Sequence, residues 1–142
     1  MSGYFCRILD DMNRNSGAVF VCCLVVLIAF LHISALQFYL YWSLWWFDIL
    51  MHFLGGAWVA AAVLWCLLLS GYVHTRWRPF RTAVCLTIIV GILWEIYEYA
   101  FGMTLVEHEA YVFDTALDLV MDMIGAITLS PLFISLVCKK QA

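Results

Sequence analysis

Four long apolar stretches constrain this chain of 142 residues more than any other feature. They cover residues 17–40, 48–71, 82–105 and 115–138, and each has about the 20 residues that an α-helix needs to cross a bilayer. Lipid offers the backbone no hydrogen-bond partner, so such stretches must be helical. Because 66% of the residues are hydrophobic and only 12% are charged, little sequence is left for a soluble module. The sequence therefore predicts an all-α membrane protein in which residues 1–142 form one four-transmembrane-helix bundle.

The basic residues predict how this bundle is oriented. The connectors 41–47 and 106–114 contain no Lys or Arg. The positive-inside rule therefore places both termini and the 72–81 connector in the cytoplasm. All seven basic residues lie at these cytoplasmic places: Arg7, Arg14, Arg76, Arg78, Arg81, Lys139 and Lys140.

Residues 48–56 and 118–126 repeat one pattern of acidic, apolar and small residues. In each segment the ionisable and small residues share one helical stripe. Both segments belong to helices predicted to run from outside to inside, which favours a parallel repeat of two helix hairpins. The two stripes are Asp48, His52 and Gly55, and Asp118, Asp122 and Gly125.

Ionisable side chains of different helices occupy one depth, ~5–15 Å below the outer surface at about 1.5 Å per residue. An ionised acid at the bilayer centre costs roughly 2.5–3.5 kcal/mol, and no Lys or Arg lies on this side to pair with five of them. Protonation, water or a bound cation would relieve that cost, and a divalent cation does so most economically. We therefore predict an outward-facing pocket that binds a divalent metal. Its candidate ligands are Asp48, His52, Glu95, Glu98, Asp118 and Asp122.

The donor types restrict the metal, and several other polar residues have structural explanations. Carboxylates with one or two imidazoles suit Mg²⁺, Mn²⁺, Ca²⁺, Zn²⁺ or non-haem iron. Asp114 is expected to cap the fourth helix, and Asp48 could cap the second instead of binding metal. His32 is expected to form an interhelical hydrogen bond. The outer loop 107–109 (Glu-His-Glu) is either solvated or forms a lid or a cation entry.

Three ordered blocks within residues 47–127 carry a family resemblance. They are Phe47-Asp48-x-x-Met51-His52-Phe53-x-Gly55, Trp94-Glu95-x-x-Glu98, and Phe113-Asp114-Thr115-x-x-Asp118-x-x-x-Asp122-x-x-Gly125-Ala126. The chain resembles the YjdF-type family of small bacterial inner-membrane proteins. It is similar, more distantly, to VanZ-like proteins, some of which are associated with teicoplanin resistance. The resemblance implies a multi-pass protein of the cell inner membrane with these acids and His52 as its signature, and it implies no reaction.

Three functions are compatible with these patterns. The first is a membrane protein that holds a divalent cation and acts on an envelope or lipid-linked substrate. There, Asp48 or Glu98 would be the general base. The second is a proton or cation pathway in which the acids titrate, and the third is a non-catalytic accessory subunit. Expected partners are membrane lipid and either a second copy or a larger membrane complex. No motif indicates nucleotide or nucleic-acid binding.

Overall fold

A computed structural model describes residues 14–70, 77–102 and 111–137. Four of the helices in these ranges are long and apolar enough to cross a membrane, which confirms the all-α four-helix architecture. The basic residues outside these ranges, and the loop 107–109, lie beyond what the structure describes. The helices are α1 (Arg14–Phe38), α2 (Leu40–Ser43), α3 (Phe47–Leu69), α4 (Trp77–Phe101) and α5 (Tyr111–Val137).

The helices begin earlier than the apolar stretches that predicted them. α4 starts at Trp77 and includes Arg78 and Arg81, both exposed. Charged residues mark the end of an apolar stretch in the sequence. The helix can nevertheless continue through them, because the end of a helix can lie at the aqueous edge of a membrane. Apolar length therefore measures the lipid-embedded part of each helix and omits its polar first turn.

The capping roles predicted for Asp48 and Asp114 are wrong. α3 has Trp46 at its N-cap, with no side-chain capping bond, and Asp48 lies inside the first turn. α5 begins at Tyr111, so Asp114 also lies inside the first turn. Both carboxylates still lie at the positive end of a helix dipole, where an acid is stabilised.

α3 is the central helix, and it packs most extensively against α5. A Cβ atom on Gly56 would collide with the backbone of Asp122, and one on Gly125 would collide with the carbonyl oxygen of Phe53. His52 lies near Asp118, and Ala57, which is further along α3, meets Gly125, which is further along α5. The two helices therefore run parallel. His52 of the first predicted stripe thus faces Asp118 and Asp122 of the second. The small residue at the close approach on α3 is Gly56, and not Gly55 of the predicted stripe.

α1 and α4 flank this central pair on different sides. The indole N–H of Trp58 in α3 donates to the carbonyl oxygen of Val21 in α1, at 3.2 Å. Gly17 of α1 lies against the ring of Trp65. α4 packs against both α3 and α5, whereas α1 and α4 make almost no direct contact in the described ranges. A gap between α1 and α4 therefore faces the surroundings of the bundle.

An apolar core fills the half of the bundle that is predicted to be cytoplasmic. Small residues of α3 pack there against large side chains of α5, and Phe20 of α1 adds an edge-to-face contact with Phe133 at 5.6 Å between ring centroids. The core leaves the polar groups concentrated in the other half. Its buried members are Ala60, Ala61, Leu64, Leu68, Ala83, Ala126, Phe133 and Val137.

The connector between α1 and α3 is short and aromatic. Tyr39 takes the left-handed conformation (φ 57°), which separates α1 from the single turn of α2. Its carbonyl oxygen accepts hydrogen bonds from the backbone N–H and the hydroxyl of Ser43, both at 3.0 Å. The Tyr41 ring packs edge-on against Phe47, with 5.2 Å between centroids. This arrangement places Tyr41 over the polar half of the bundle.

Candidate metal centre

His52 is the centre of the polar half of the bundle. Its side chain is only 5% exposed, and each of the five predicted acids places an oxygen within 4.8 Å of one of its ring nitrogens. α3, α4 and α5 all contribute, so the structure brings together every residue that the sequence analysis singled out as a candidate ligand. We call this group the acid–histidine cluster: Asp48, His52, Glu95, Glu98, Asp118 and Asp122.

The acids divide between the two sides of the imidazole. Nε2 lies 3.8 Å from Oε1 of Glu95 and 3.9 Å from Oδ2 of Asp118. Nδ1 lies 3.6 Å from Oδ2 of Asp122. Asp48 joins His52 and Asp118 in one compact group of donors, and Glu98 joins His52 and Glu95 in another. The two groups share His52, so one imidazole serves both.

These distances suit a shared cation. Donors that lie 2.1–2.4 Å from one ion are roughly 3–4 Å apart in tetrahedral or octahedral geometry. The two distances from Nε2 fall in that range, although they are too long for direct hydrogen bonds. Nε2 of His52 is therefore placed to share an ion with either carboxylate. The groups whose donors all lie close enough together for one ion are Asp48, His52 and Asp118, and His52, Glu95 and Glu98.

Glu95 supplies the clearest sign of a missing partner. The residue is 5% exposed, and its Oε2 accepts a hydrogen bond from the Thr115 hydroxyl at 2.8 Å. Its Oε1 is buried without a hydrogen-bond partner and lies on the Nε2 side of His52. Leaving a buried acceptor unpaired costs about 1–3 kcal/mol, and more for a charged group. A ligand that satisfies this oxygen would remove the cost.

Positive charge is scarce around the cluster. Within the ranges that the structure describes, the ion-pair contacts of these acids all involve His52. Arg78 and Arg81 lie at the start of α4, at the opposite end of that helix from Glu95. Five carboxylates thus surround a single ionisable cation, and His52 alone cannot balance them.

Gly91 allows α4 to accommodate one of these acids. A Cβ atom at this position would collide with Oδ2 of Asp122. The missing side chain gives the Asp122 carboxylate room on the Nδ1 side of His52. The carboxylate of Asp122 and the side chain of Leu119 are thus the groups that come closest to α4 at Gly91.

A cavity of about 880 Å³ lies beside the cluster, between α1, α3 and α4. At its rim, the Tyr41 hydroxyl lies 2.8 Å from Nδ1 of His32. The hydrogen bond expected for His32 is therefore present, and its partner lies in the connector after α1. Burial, and then the negative charges of Asp48 and Glu98, raise the pKa of Tyr41. The phenol stays protonated at neutral pH, and when Nδ1–H of His32 donates to the phenol oxygen, the O–H can donate into the cavity mouth.

Sequence reasoning missed Thr115 and Tyr41 as parts of the site. Thr115 precedes Asp118 by three residues, a spacing that puts both on one face of α5 and could have identified it. Tyr41 carried no comparable signal, because an aromatic residue in an outer connector is usually an interfacial anchor.

Comparison with known proteins gives one match. A family model described as "Predicted membrane protein (DUF2238)" matches residues 5–139. This agrees with the YjdF-type resemblance, while the more distant likeness to VanZ-like proteins receives no support. No curated protein and no solved structure matches the chain.

Proposed function

The chain belongs to the DUF2238 family of predicted membrane proteins, and we propose that it binds one divalent cation in the acid–histidine cluster. The observation that carries this proposal is the buried, unpaired Oε1 of Glu95. It lies 3.8 Å from Nε2 of His52, and the same nitrogen lies 3.9 Å from the buried carboxylate of Asp118. A cation would satisfy that oxygen and supply the positive charge that the surrounding helices lack.

Each member of the cluster has a role in this proposal. The inner ligands are Nε2 of His52 and the carboxylates of Glu95 and Asp118, one from each of the two donor groups, which the bound ion would draw together. Asp122 lies on the other side of the ring, where a carboxylate can hold the Nδ1–H and fix the tautomer that leaves Nε2 free. Oxygen donors with one imidazole suit Mg²⁺, Mn²⁺, Ca²⁺, Zn²⁺ or Fe²⁺.

Asp48 and Glu98 line the cavity, as Glu95 and Asp122 do, but they differ from the other acids because they are only half-buried. They can complete the coordination shell or accept a proton from a water molecule in the cavity. A bound cation would polarise a phosphoryl or carbonyl oxygen of a substrate. This arrangement supports a metal-dependent enzyme of the inner membrane that acts on an envelope or lipid-linked substrate.

The apolar core favours a binding site over a proton or cation pathway. Leu64, Leu68, Phe133 and Val137 pack in the half of the bundle beyond the cluster, and all are buried. In the described part of the chain, the titratable groups of the spans lie on the cluster side of this core, apart from exposed cysteines and the arginines in the first turns of α1 and α4. The buried hydroxyls of Thr87 and Ser130 donate to carbonyl oxygens of their own helices, so a transported ion would meet no titratable relay in the described part of that half.

Elemental analysis of protein purified without chelators tests the proposal directly. We expect close to one equivalent of a divalent metal in the wild type. Asp118→Asn should lower metal affinity by at least about tenfold, in keeping with the 10–100-fold losses seen even for outer-shell groups. Asp114→Asn is the matched control, because Asp114 is on the same helix one turn away and belongs to neither donor group.

A metal content below about a tenth of an equivalent after reconstitution with each candidate ion would contradict the proposal. Equal metal affinity of the Asp118 and Asp114 variants would also contradict it, since the bound ion would then lie elsewhere.

A further inference from the structure

The cavity beside the acid–histidine cluster is long and parallel to the helices. On α1 its lining runs from Val25 to Leu36, and on α4 from Thr87 to Glu98. Eleven residue steps on either helix span about 16 Å at 1.5 Å per residue. This length is about half of the ~30 Å hydrocarbon thickness of a bilayer, and so corresponds to a single leaflet.

The two ends of the cavity differ in chemistry. One end is lined by the acid–histidine cluster, His32 and Tyr41, and the other by Val25, Ile28, Val59 and Val90. A membrane amphiphile has the same division, with a polar headgroup at the surface and a hydrocarbon chain toward the bilayer centre. The cavity is therefore aligned with the lipids around it.

The gap between α1 and α4 gives such a molecule a sideways route. Both helices line the cavity, yet they make almost no direct contact with each other. Val25 and Leu36 on α1, and Val90 and Trp94 on α4, are exposed at the surface of the bundle as well as lining the cavity. A hydrocarbon chain can pass between these helices without leaving an apolar environment.

From these observations we propose that the cavity binds one hydrocarbon chain of a phosphate-headed amphiphile, which enters from the membrane between α1 and α4. The proposal rests on the proposed function, because the cation is what attracts the phosphate. Without a cation, five carboxylates would repel an anionic headgroup. With one, the phosphate oxygens can complete its coordination shell, as they do for Mg²⁺ in many phosphate sites. The Tyr41 hydroxyl at the rim is a further donor when Nδ1–H of His32 donates to its oxygen.

Native mass spectrometry in neutral-detergent micelles tests this inference, because it reports bound metal and bound amphiphile in the same spectrum. The probes are Mn²⁺ and dodecyl phosphate, with inorganic phosphate and dodecyltrimethylammonium as comparisons. Ala29→Trp and Val90→Trp fill the cavity from its two walls. Val26→Trp and Ile89→Trp are matched controls at exposed neighbouring positions that do not line the cavity.

We expect dodecyl phosphate to bind the wild type only with Mn²⁺ present. Both cavity-filling variants should keep Mn²⁺ but bind dodecyl phosphate with about tenfold lower affinity. Excluding two methylene groups of the chain from the cavity is enough to lower the affinity by that factor. The two controls should bind like the wild type.

Three results would overturn the inference while leaving the cation site intact: equal binding by filled and control variants, equal binding of inorganic phosphate and dodecyl phosphate, or tighter binding of the trimethylammonium amphiphile. If the wild type bound no Mn²⁺, the proposed function itself would have failed. If the metal-free protein nevertheless bound dodecyl phosphate, the role of the cation in this inference would be overturned.

Discussion

The chemistry of His52 depends on which ring nitrogen keeps its proton. Asp122 is 3.6 Å from Nδ1, while Glu95 and Asp118 are near Nε2. A carboxylate on the Nδ1 side stabilises the tautomer in which Nε2 is free to bind a metal. Asp122 is therefore a positioning residue, and its effect on the metal should pass through the histidine.

Asp122→Asn should weaken metal binding by about 10–100-fold, because an amide holds the imidazole proton without the negative charge of the carboxylate. Competition titration of Mn²⁺ measures the affinity, and the electron paramagnetic resonance spectrum of the bound ion reports its ligand field. A positioning role predicts a changed affinity with the ion still bound to nitrogen. Loss of the nitrogen signal would instead show that His52 had turned away, and an unchanged affinity would show that Asp122 is dispensable.

Close packing of α3 against α5 sets the distances within the cluster. His52 lies on α3 and both Asp118 and Asp122 on α5, so the separation of these helices fixes how far apart the donors are. Gly56 and Gly125 allow that separation because backbone atoms of the opposite helix occupy the space where a side chain would begin. The small residues of the repeated segments are thus as important for the site as the ionisable ones.

Gly56→Ala should lower the free energy of unfolding by about 1–3 kcal/mol, the usual cost of overpacking, and should weaken metal binding as the helices separate. Gly55→Ala is the control, because a Cβ atom there meets nothing closer than 4.0 Å. That variant should be neutral or stabilised by up to about 1 kcal/mol, since Ala favours the helix over Gly. Unfolding in mixed micelles measures both changes. Equal stabilities would mean that α3 and α5 are not in close contact at Gly56.

Apolar length in the sequence predicted the part of each helix that can lie in lipid, but not the full extent of the helix. The four spans followed from apolar length, but Arg78 and Arg81 hid the first turn of α4 because hydropathy records lipid exposure and not backbone conformation. The convergence on His52 followed from shared depth. The hydrogen bond from Thr115 to Glu95 could not be predicted. It depends on the register between α4 and α5, which a single sequence leaves undetermined.

Polar and apolar groups are divided between the two halves of the bundle. The core seals one half, and the cluster and its cavity occupy the other. A ligand that binds only the folded protein stabilises it by mass action. Since the cluster joins three helices, a bound cation should stabilise the entire bundle rather than a single helix.

A divalent metal at about 100 times its dissociation constant should therefore raise the free energy of unfolding by about 2.7 kcal/mol. The gain should shrink as the pH falls, because protons compete with the metal for the carboxylates and the imidazole. Unfolding measured with metal, and again after chelation, gives the difference at each pH. The Asp118→Asn variant, which should bind the metal at least about tenfold more weakly, should show about half of this gain or less at the same metal concentration. An equal gain in that variant would place the stabilising ion outside the cluster.

The direction of the bundle decides which compartment supplies the cation. The distribution of Lys and Arg predicts that the α1–α3 connector is outside and that the far end of α3 is inside. Ser43 and Ser70 are exposed residues at these two ends. In a background with all six native cysteines replaced, Ser43→Cys should react with a membrane-impermeant maleimide on spheroplasts, and Ser70→Cys only after lysis. The reverse labelling would turn the cavity toward the cytoplasm, and the cytoplasmic leaflet would then be the source of any amphiphile that it binds.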